Sequence, residues 1–166
     1  KDNVMNRRHF FVTTACVIAG AKYFSSSLTA KELPSDSTFE VVYTKEQWRA
    51  KLSDFEYQVM REEGTERAGS SSLLHEKRAG VYDCKGCDLP LYDASTKYDS
   101  RTGWPSFYQS LPNSVETKAD NKFFMSRTEV HCRRCGSHLG HIFDDGPQPT
   151  GKRHCLNGVS LVFHSA

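Results

Sequence analysis

An α+β fold, with most of its mass in β structure, is predicted by three features of this 166-residue chain. Two segments with helix-start signals fall between Thr44 and Gly64, no apolar run from Val81 onward has helical periodicity, and the later runs are short and punctuated by Gly, Pro, Asn and Asp. Two helices laid against an antiparallel β domain of residues 80–165 follow from that pattern. With 37% hydrophobic and 25% charged residues, the chain suits one globular domain with a substantial core.

In chain order, residues 1–30 read as a targeting segment. Arg7-Arg8, one residue ahead of Phe10-Phe11, opens a short apolar run followed by small residues, a pattern that resembles a bacterial twin-arginine export signal. The run is too short to span a bilayer, and Ala19-Gly20-Ala21 and Leu28-Thr29-Ala30 offer cleavage sites. The expectation is export to the periplasm with loss of Cys16. A mitochondrial or plastid transit peptide is the competing reading, because the segment is also basic, Ser-containing and poor in acids. Its bases, Lys1, Arg7, Arg8 and Lys22, stand against Asp2 alone, so the rest of a chain with 22 basic and 20 acidic residues is close to balanced. That balance argues against nucleic acid as a partner, since phosphate-backbone binding draws on clustered positive charge.

Residues 31–43 read as a polar linker turning into a short strand at Phe39–Tyr43, before a catalytic domain at 44–166. Thr44-Lys45-Glu46-Gln47 has the capping-box pattern of a helix start. Asp54 is the expected cap of a second helix that stops at Gly64, with Trp48, Leu52, Phe55 and Met60 in the core. Gly64–Glu76 reads as a surface loop, and Leu89–Tyr92, Lys122–Met125 and Val159–Phe163 read as strands.

Four of the six cysteines form the pairs Cys84/Cys87 and Cys132/Cys135. Two Cys-x-x-Cys turns supply four thiolates, a closed tetrahedral set that suits one structural zinc ion. Disulfides within each pair are the alternative, but would close loops too small to stabilise much. Redox motifs are a weaker one, since neither pair opens a helix.

Cys155 stands apart from that set. In an extended segment Arg153, Cys155 and Asn157 share a face, which gives the sulfur a cation and an amide as neighbours. His138 and His141 offer proton carriers near neutral pH. Each also has a structural reading: a lone cysteine in an apolar strand is commonly inert, histidines commonly hydrogen-bond structurally, and Asp144-Asp145-Gly146-Pro147 makes a turn.

GWPSF at 103–107, REEGTER at 61–67, the two cysteine pairs, HLGHIFDDGPQPTG at 138–151 and RHCLN at 153–157 together resemble the methionine sulfoxide reductase B family, in order from about Trp48 to Phe163. The resemblance implies two antiparallel sheets of a zinc-clamped, tent-like fold with helices on the N-terminal side. It implies reduction of methionine-R-sulfoxide, free or in proteins, through a sulfenic acid on Cys155. His141, with His138, Asp145, Arg153 and Asn157, matches residues that line or support the site, and Trp104 and Phe143 match its substrate-binding aromatics. Cys84, Cys87, Cys132 and Cys135 match the zinc ligands. Many members carry a resolving cysteine two residues before the Trp, where this chain has Thr102. That departure implies a one-cysteine cycle in a monomer, with Cys155 regenerated by an external thiol from a thioredoxin-like protein, a glutaredoxin-like protein or a small reductant. A zinc-ribbon binding module would need neither Cys155 nor Trp104, and a zinc hydrolase or deaminase would need a His-x-Glu and an open metal position.

Overall fold

A computed structural model describes residues 39–121 and 126–166, all within one compact unit. The targeting segment, most of the linker and the strand expected at Lys122–Met125 lie outside the described residues.

Two short helices come first, α1 at Lys45–Lys51 and α2 at Asp54–Glu62. Thr44 caps α1 as its sequence predicts, accepting from the Gln47 N–H while the Gln47 side chain accepts from the Thr44 N–H. The cap of α2 is Ser53 rather than Asp54: Ser53 and Glu56 form a second capping box, which leaves Asp54 as the first helical residue. Its left-handed terminus is Glu63, at φ 56°, with Gly64 just beyond, packed so close to the Gln58 carbonyl that a side chain there has no room. Trp48, Leu52 and Met60 are buried as expected, but Phe55 is 48% exposed; α2 turns Tyr57, Val59 and Met60 inward instead. The Arg61 guanidinium stacks on the Trp48 ring at 4.5 Å and donates to the Cys135 carbonyl at 3.0 Å, fastening both helices to the second cysteine turn.

The rest is two antiparallel sheets. One has three strands in the order β2-β1-β9: β1 Gly80–Cys84, β2 Pro90–Asp93 and β9 Leu161–Ser165. The other has six, in the order β3-β4-β8-β7-β6-β5: β3 Lys97–Tyr98, β4 Ser106–Phe107, β5 Val115–Asp120, β6 Arg127–Cys132, β7 His138–Phe143 and β8 Arg153–Leu156. The expected strands at Leu89–Tyr92 and Val159–Phe163 correspond to β2 and β9; Gly158–Ser160 forms a 3₁₀ turn ahead of β9. Phe39–Tyr43 is not a strand. Its Val41 N–H donates to Arg134 of the second cysteine turn, and Phe39 sets its ring edge-on to His131 over Gly136, so the segment covers a turn rather than extending a sheet.

The core contains Tyr82, Tyr92 and Phe107, whose rings approach at 5.0 and 4.6 Å, with Leu91, Val130, Leu139 and Leu156 fully buried around them. His154 of β8 turns into this core beside Tyr92, 3.0 Å from its hydroxyl, and burial lowers its pKa to about 4 from an ordinary 6.5. An unfolded chain therefore takes up a proton at His154 as the pH falls through about 6.5, whereas the folded chain refuses it down to about 4. Stability from this group is complete above that window and is lost as the pH falls through it. Melting temperature measured against pH is expected to fall between pH 6.5 and 4, and His154→Gln to flatten that slope.

Candidate active site

The two cysteine turns come from different sheets. Cys84 and Cys87 end β1 of the small sheet, and Cys132 and Cys135 end β6 of the large one, yet the four sulfurs lie within 4.8 Å of one another. Cys84 and Cys135 are 3.7 Å apart and Cys87 and Cys132 are 3.5 Å apart. A sulfur tetrahedron around an ion with 2.3 Å bonds has edges of about 3.8 Å, so the donor set fits one ion. All four ligand positions would be filled by protein, which leaves none open for chemistry.

Cys155 is the one cysteine outside this cluster among the described residues, a free half-buried thiol. On β8 it is paired with Ser106 of β4 on one side and His141 of β7 on the other. Gly140 lets β7 come this close, since a side chain there would run into the Cys155 carbonyl. The sulfur opens on a cavity of about 140 Å³ lined by Thr65, Trp104, Arg127, His141, Phe143 and Asn157, among others. That volume is well below the roughly 300 Å³ at which drug-sized or cofactor sites begin, so it suits the end of one side chain. A larger depression of about 470 Å³, bordered by Lys97, Tyr98 and Arg101, has no cysteine in its lining.

His141 lies in this cavity with its Nε2 2.8 Å from Asp120, whose carboxylate also accepts from Arg127. Burial lowers the His141 pKa against the opposing pull of Asp120, favouring the neutral imidazole. His138 sits behind it, ring centroids 5.5 Å apart, with Nδ1 on the buried Glu129. Residues three apart belong on opposite faces of a strand; here the register against β6 skips Leu139, and that bulge returns both histidines to one face. Arg153 is beside the sulfur, but its guanidinium is held by both Asp145 oxygens at 2.8 and 2.9 Å and stacks 4.3 Å from the Phe143 ring. The structure thus gathers Cys155, His141, Asn157, Trp104 and Phe143 at the cavity and places Arg153 beside the sulfur, while Asp145 and His138 stand behind as partners. Burial pushes the Cys155 thiol above its ordinary range and outweighs the Arg153 charge, so the activating effect expected of that cation does not dominate.

A family model described as the SelR domain matches residues 52–165. The chain belongs to the SelR-domain family. Similar proteins include a peptide methionine sulfoxide reductase B1, chloroplastic, of Arabidopsis thaliana, 51% identical over 74% of this chain and 61% of that protein's length. Others are the peptide methionine sulfoxide reductases MsrB of Methanosarcina barkeri, 50% identical over 72% of this chain and 85% of that one, and of Pseudomonas putida, 53% identical over 72% and 91%. The chain thus spans less than two thirds of the Arabidopsis protein and most of the two microbial ones.

Two site residues of this SelR domain were not singled out in its sequence. Asp120 ends a strand more than twenty residues before His141, and nothing in its neighbourhood marks it. Glu66 lies in the Gly64–Glu76 stretch expected to be a surface loop, yet it is 3% exposed. Its carboxylate accepts from the Gly158 and Val159 N–H groups, its own N–H donates to the Asn157 side chain, and its carbonyl accepts from Trp104 Nε1. The Asn157 amide is therefore committed to Glu66 and the Leu139 carbonyl rather than to the sulfur. One segment thus orients two cavity-lining side chains. Glu66→Ala strands one buried and one part-buried N–H donor and is expected to cost about 2–4 kcal/mol in a denaturant titration, with Glu66→Gln costing less because it keeps one acceptor oxygen.

Proposed function

We propose that this SelR-domain protein reduces methionine-R-sulfoxide, free or in proteins, to methionine, with Cys155 as the nucleophile. The observation that carries the reading is a free thiol at a cavity sized for one side-chain end, faced by Trp104 and Phe143 and by a histidine tied to a carboxylate. The printed names of its relatives support the same activity.

Trp104 and Phe143 take the apolar methyl end of the substrate and exclude water. Cys155 attacks the sulfoxide sulfur, the sulfur–oxygen bond breaks, and the oxygen passes to the cysteine as a sulfenic acid while methionine leaves. Thiol plus sulfoxide gives sulfenic acid plus thioether with no net proton released, so the proton lost by the thiol is the one the oxygen needs. His141, held by Asp120, is placed to carry it, with His138 and Glu129 fixing the ring behind. Arg153, braced by Asp145, stabilises the sulfur as it develops charge, and Asn157 holds the cavity wall. The four-cysteine cluster would hold zinc, whose contribution is to lock the two sheets together.

Recovery uses an outside thiol. Thr102, at the place of the usual resolver, has its hydroxyl 3.9 Å from the Cys155 sulfur, and a hydroxyl cannot form a disulfide. A thioredoxin-like or glutaredoxin-like protein or a small thiol attacks the sulfenic acid directly on a monomer. Residues 1–30 direct export in the manner of a twin-arginine signal, while two plant relatives are named as chloroplastic and keep the transit-peptide reading in view.

Cys155→Ser is expected to lower methionine-R-sulfoxide reduction at least a thousandfold with one equivalent of zinc retained; preserved activity would reject the assignment. After one turnover without reductant, mass spectrometry is expected to find Cys155 as a sulfenic acid trapped by a cyclic diketone, and an internal disulfide at Cys155 would reject the one-cysteine cycle.

A further inference from the structure

Three hydroxyls are linked one to the next from the Cys155 sulfur to Ser106, its cross-strand partner on β4. Thr102 Oγ1 is 3.9 Å from the sulfur, Ser100 Oγ is 2.8 Å from Thr102 Oγ1, Ser106 Oγ is 2.6 Å from Ser100 Oγ, and Ser106 Oγ donates to the Trp104 carbonyl at 3.1 Å. A hydroxyl has a single proton to donate, and a carbonyl can only accept. The far end of the line therefore fixes the direction of every bond in it. With the Ser106 proton on the Trp104 carbonyl, Ser106 must accept from Ser100, Ser100 from Thr102, and Thr102 from the S–H of Cys155.

A Thr102 hydroxyl donating to sulfur would favour the thiolate; the polarity of this line turns it the other way. We propose that Ser106, Ser100 and Thr102 form a polarised hydroxyl chain that holds Cys155 as a neutral thiol donor between turnovers. Stabilising the thiolate with a Thr102 donor then requires all three hydroxyls to reverse and the Trp104 carbonyl to lose its Ser106 donor. Ser106 is fully buried, so water does not readily replace that bond. Ser100 and Ser106 are positioning residues, acting on the nucleophile through Thr102.

The other groups around the sulfur are charged or titratable and act alongside the chain. On its own strand is Arg153, paired with Asp145; across on β7 is His141, bonded to Asp120, which pairs with Arg127; and Tyr98 of β3 lies within electrostatic reach. None of these is touched by changing Ser100. The chain also has a use. Peroxide is reduced by a thiolate, which becomes a sulfenic acid with release of hydroxide, so a cysteine kept as the thiol resists oxidation when no sulfoxide is bound.

The proposal rests on Cys155 being the nucleophile, but its test does not need turnover. In the full-length, metal-loaded protein, the rate of Cys155 alkylation by iodoacetamide is followed by mass spectrometry from pH 6 to pH 10 (about the range over which thiols titrate). Ser100→Ala frees Thr102 to donate to the sulfur, so the midpoint is expected to fall by about half to one unit, a three- to tenfold faster reaction at neutral pH. Ser100→Thr keeps a hydroxyl and is expected to restore the original midpoint. Thr102→Val removes the thiol's acceptor and is expected to lower the midpoint as well. An unchanged or higher midpoint in Ser100→Ala, a higher one in Thr102→Val, or a rate raised equally at every pH, as better access alone would give, overturns the chain. Preserved sulfoxide reduction in Cys155→Ser would instead overturn the assignment of Cys155 as nucleophile and leave these midpoints to be read on their own.

Discussion

Everything in this fold depends on the meeting of four sulfurs at the ends of two strands. A three-stranded and a six-stranded sheet have no ladder in common. The cysteine turns join them at one point, where β1 and β6 both terminate. The constraint runs on into the site: β7 begins three residues after Cys135, the Lys85 N–H donates to the Ser160 carbonyl, and Ser160 Oγ donates to the carbonyl of His138. Residues between the first two cysteines are thus two hydrogen bonds away from the histidine strand. An ion held at the cluster would fix where β7 starts, and so where His138 and His141 stand.

From that start, two local irregularities shape the face that carries the candidate site. The skipped Leu139 rotates His138 and His141 onto one side, and Gly140 admits β8 close enough for Cys155 to pair with His141. Either irregularity alone leaves the site incomplete. A regular strand separates the histidines, and a residue with a side chain at 140 drives the thiol away from them. The 3₁₀ turn at Gly158–Ser160 then closes over Glu66, which returns the favour by capping its two leading N–H groups.

Much of this was legible in the sequence where the signal is local. The capping box at Thr44, the two cysteine pairs and the short strands all rest on neighbours a few residues apart. Ser53 displaced Asp54 because two adjacent residues can both cap, and the partner three positions on, Glu56, decides between them. Phe39–Tyr43 has strand composition, but its backbone bonds to Arg134 and the Phe39 ring meets His131, so it packs on a turn instead. Phe55 is apolar yet falls on the outer face of a helix too short to bury more than one stripe. The buried roles of Glu66, though it lies in the REEGTER motif, and of Asp120 were illegible for a different reason. Their partners lie 92 and 21 residues away, and a polar residue in a polar stretch gives no sign that it will be buried.

The cysteines of the described residues show how far residue type alone falls short of function. Four are gathered so tightly that a metal ion is their natural neighbour; the fifth is half-buried, and burial favours its thiol form. Arg153 is the obvious activator, but its charge is already shared with Asp145 and its face with Phe143, and burial acts against what remains. A permanently charged sulfur beside a narrow apolar cavity would react with any small oxidant that entered. On the proposed reading, a neutral one waits for a substrate that is both electrophile and base, since a sulfoxide presents its sulfur to the thiol and its oxygen to the thiol's proton. Reactivity then depends on the arrival of that pair of atoms together, and the cavity walls of Trp104, Phe143 and His141 are what bring them in the right order.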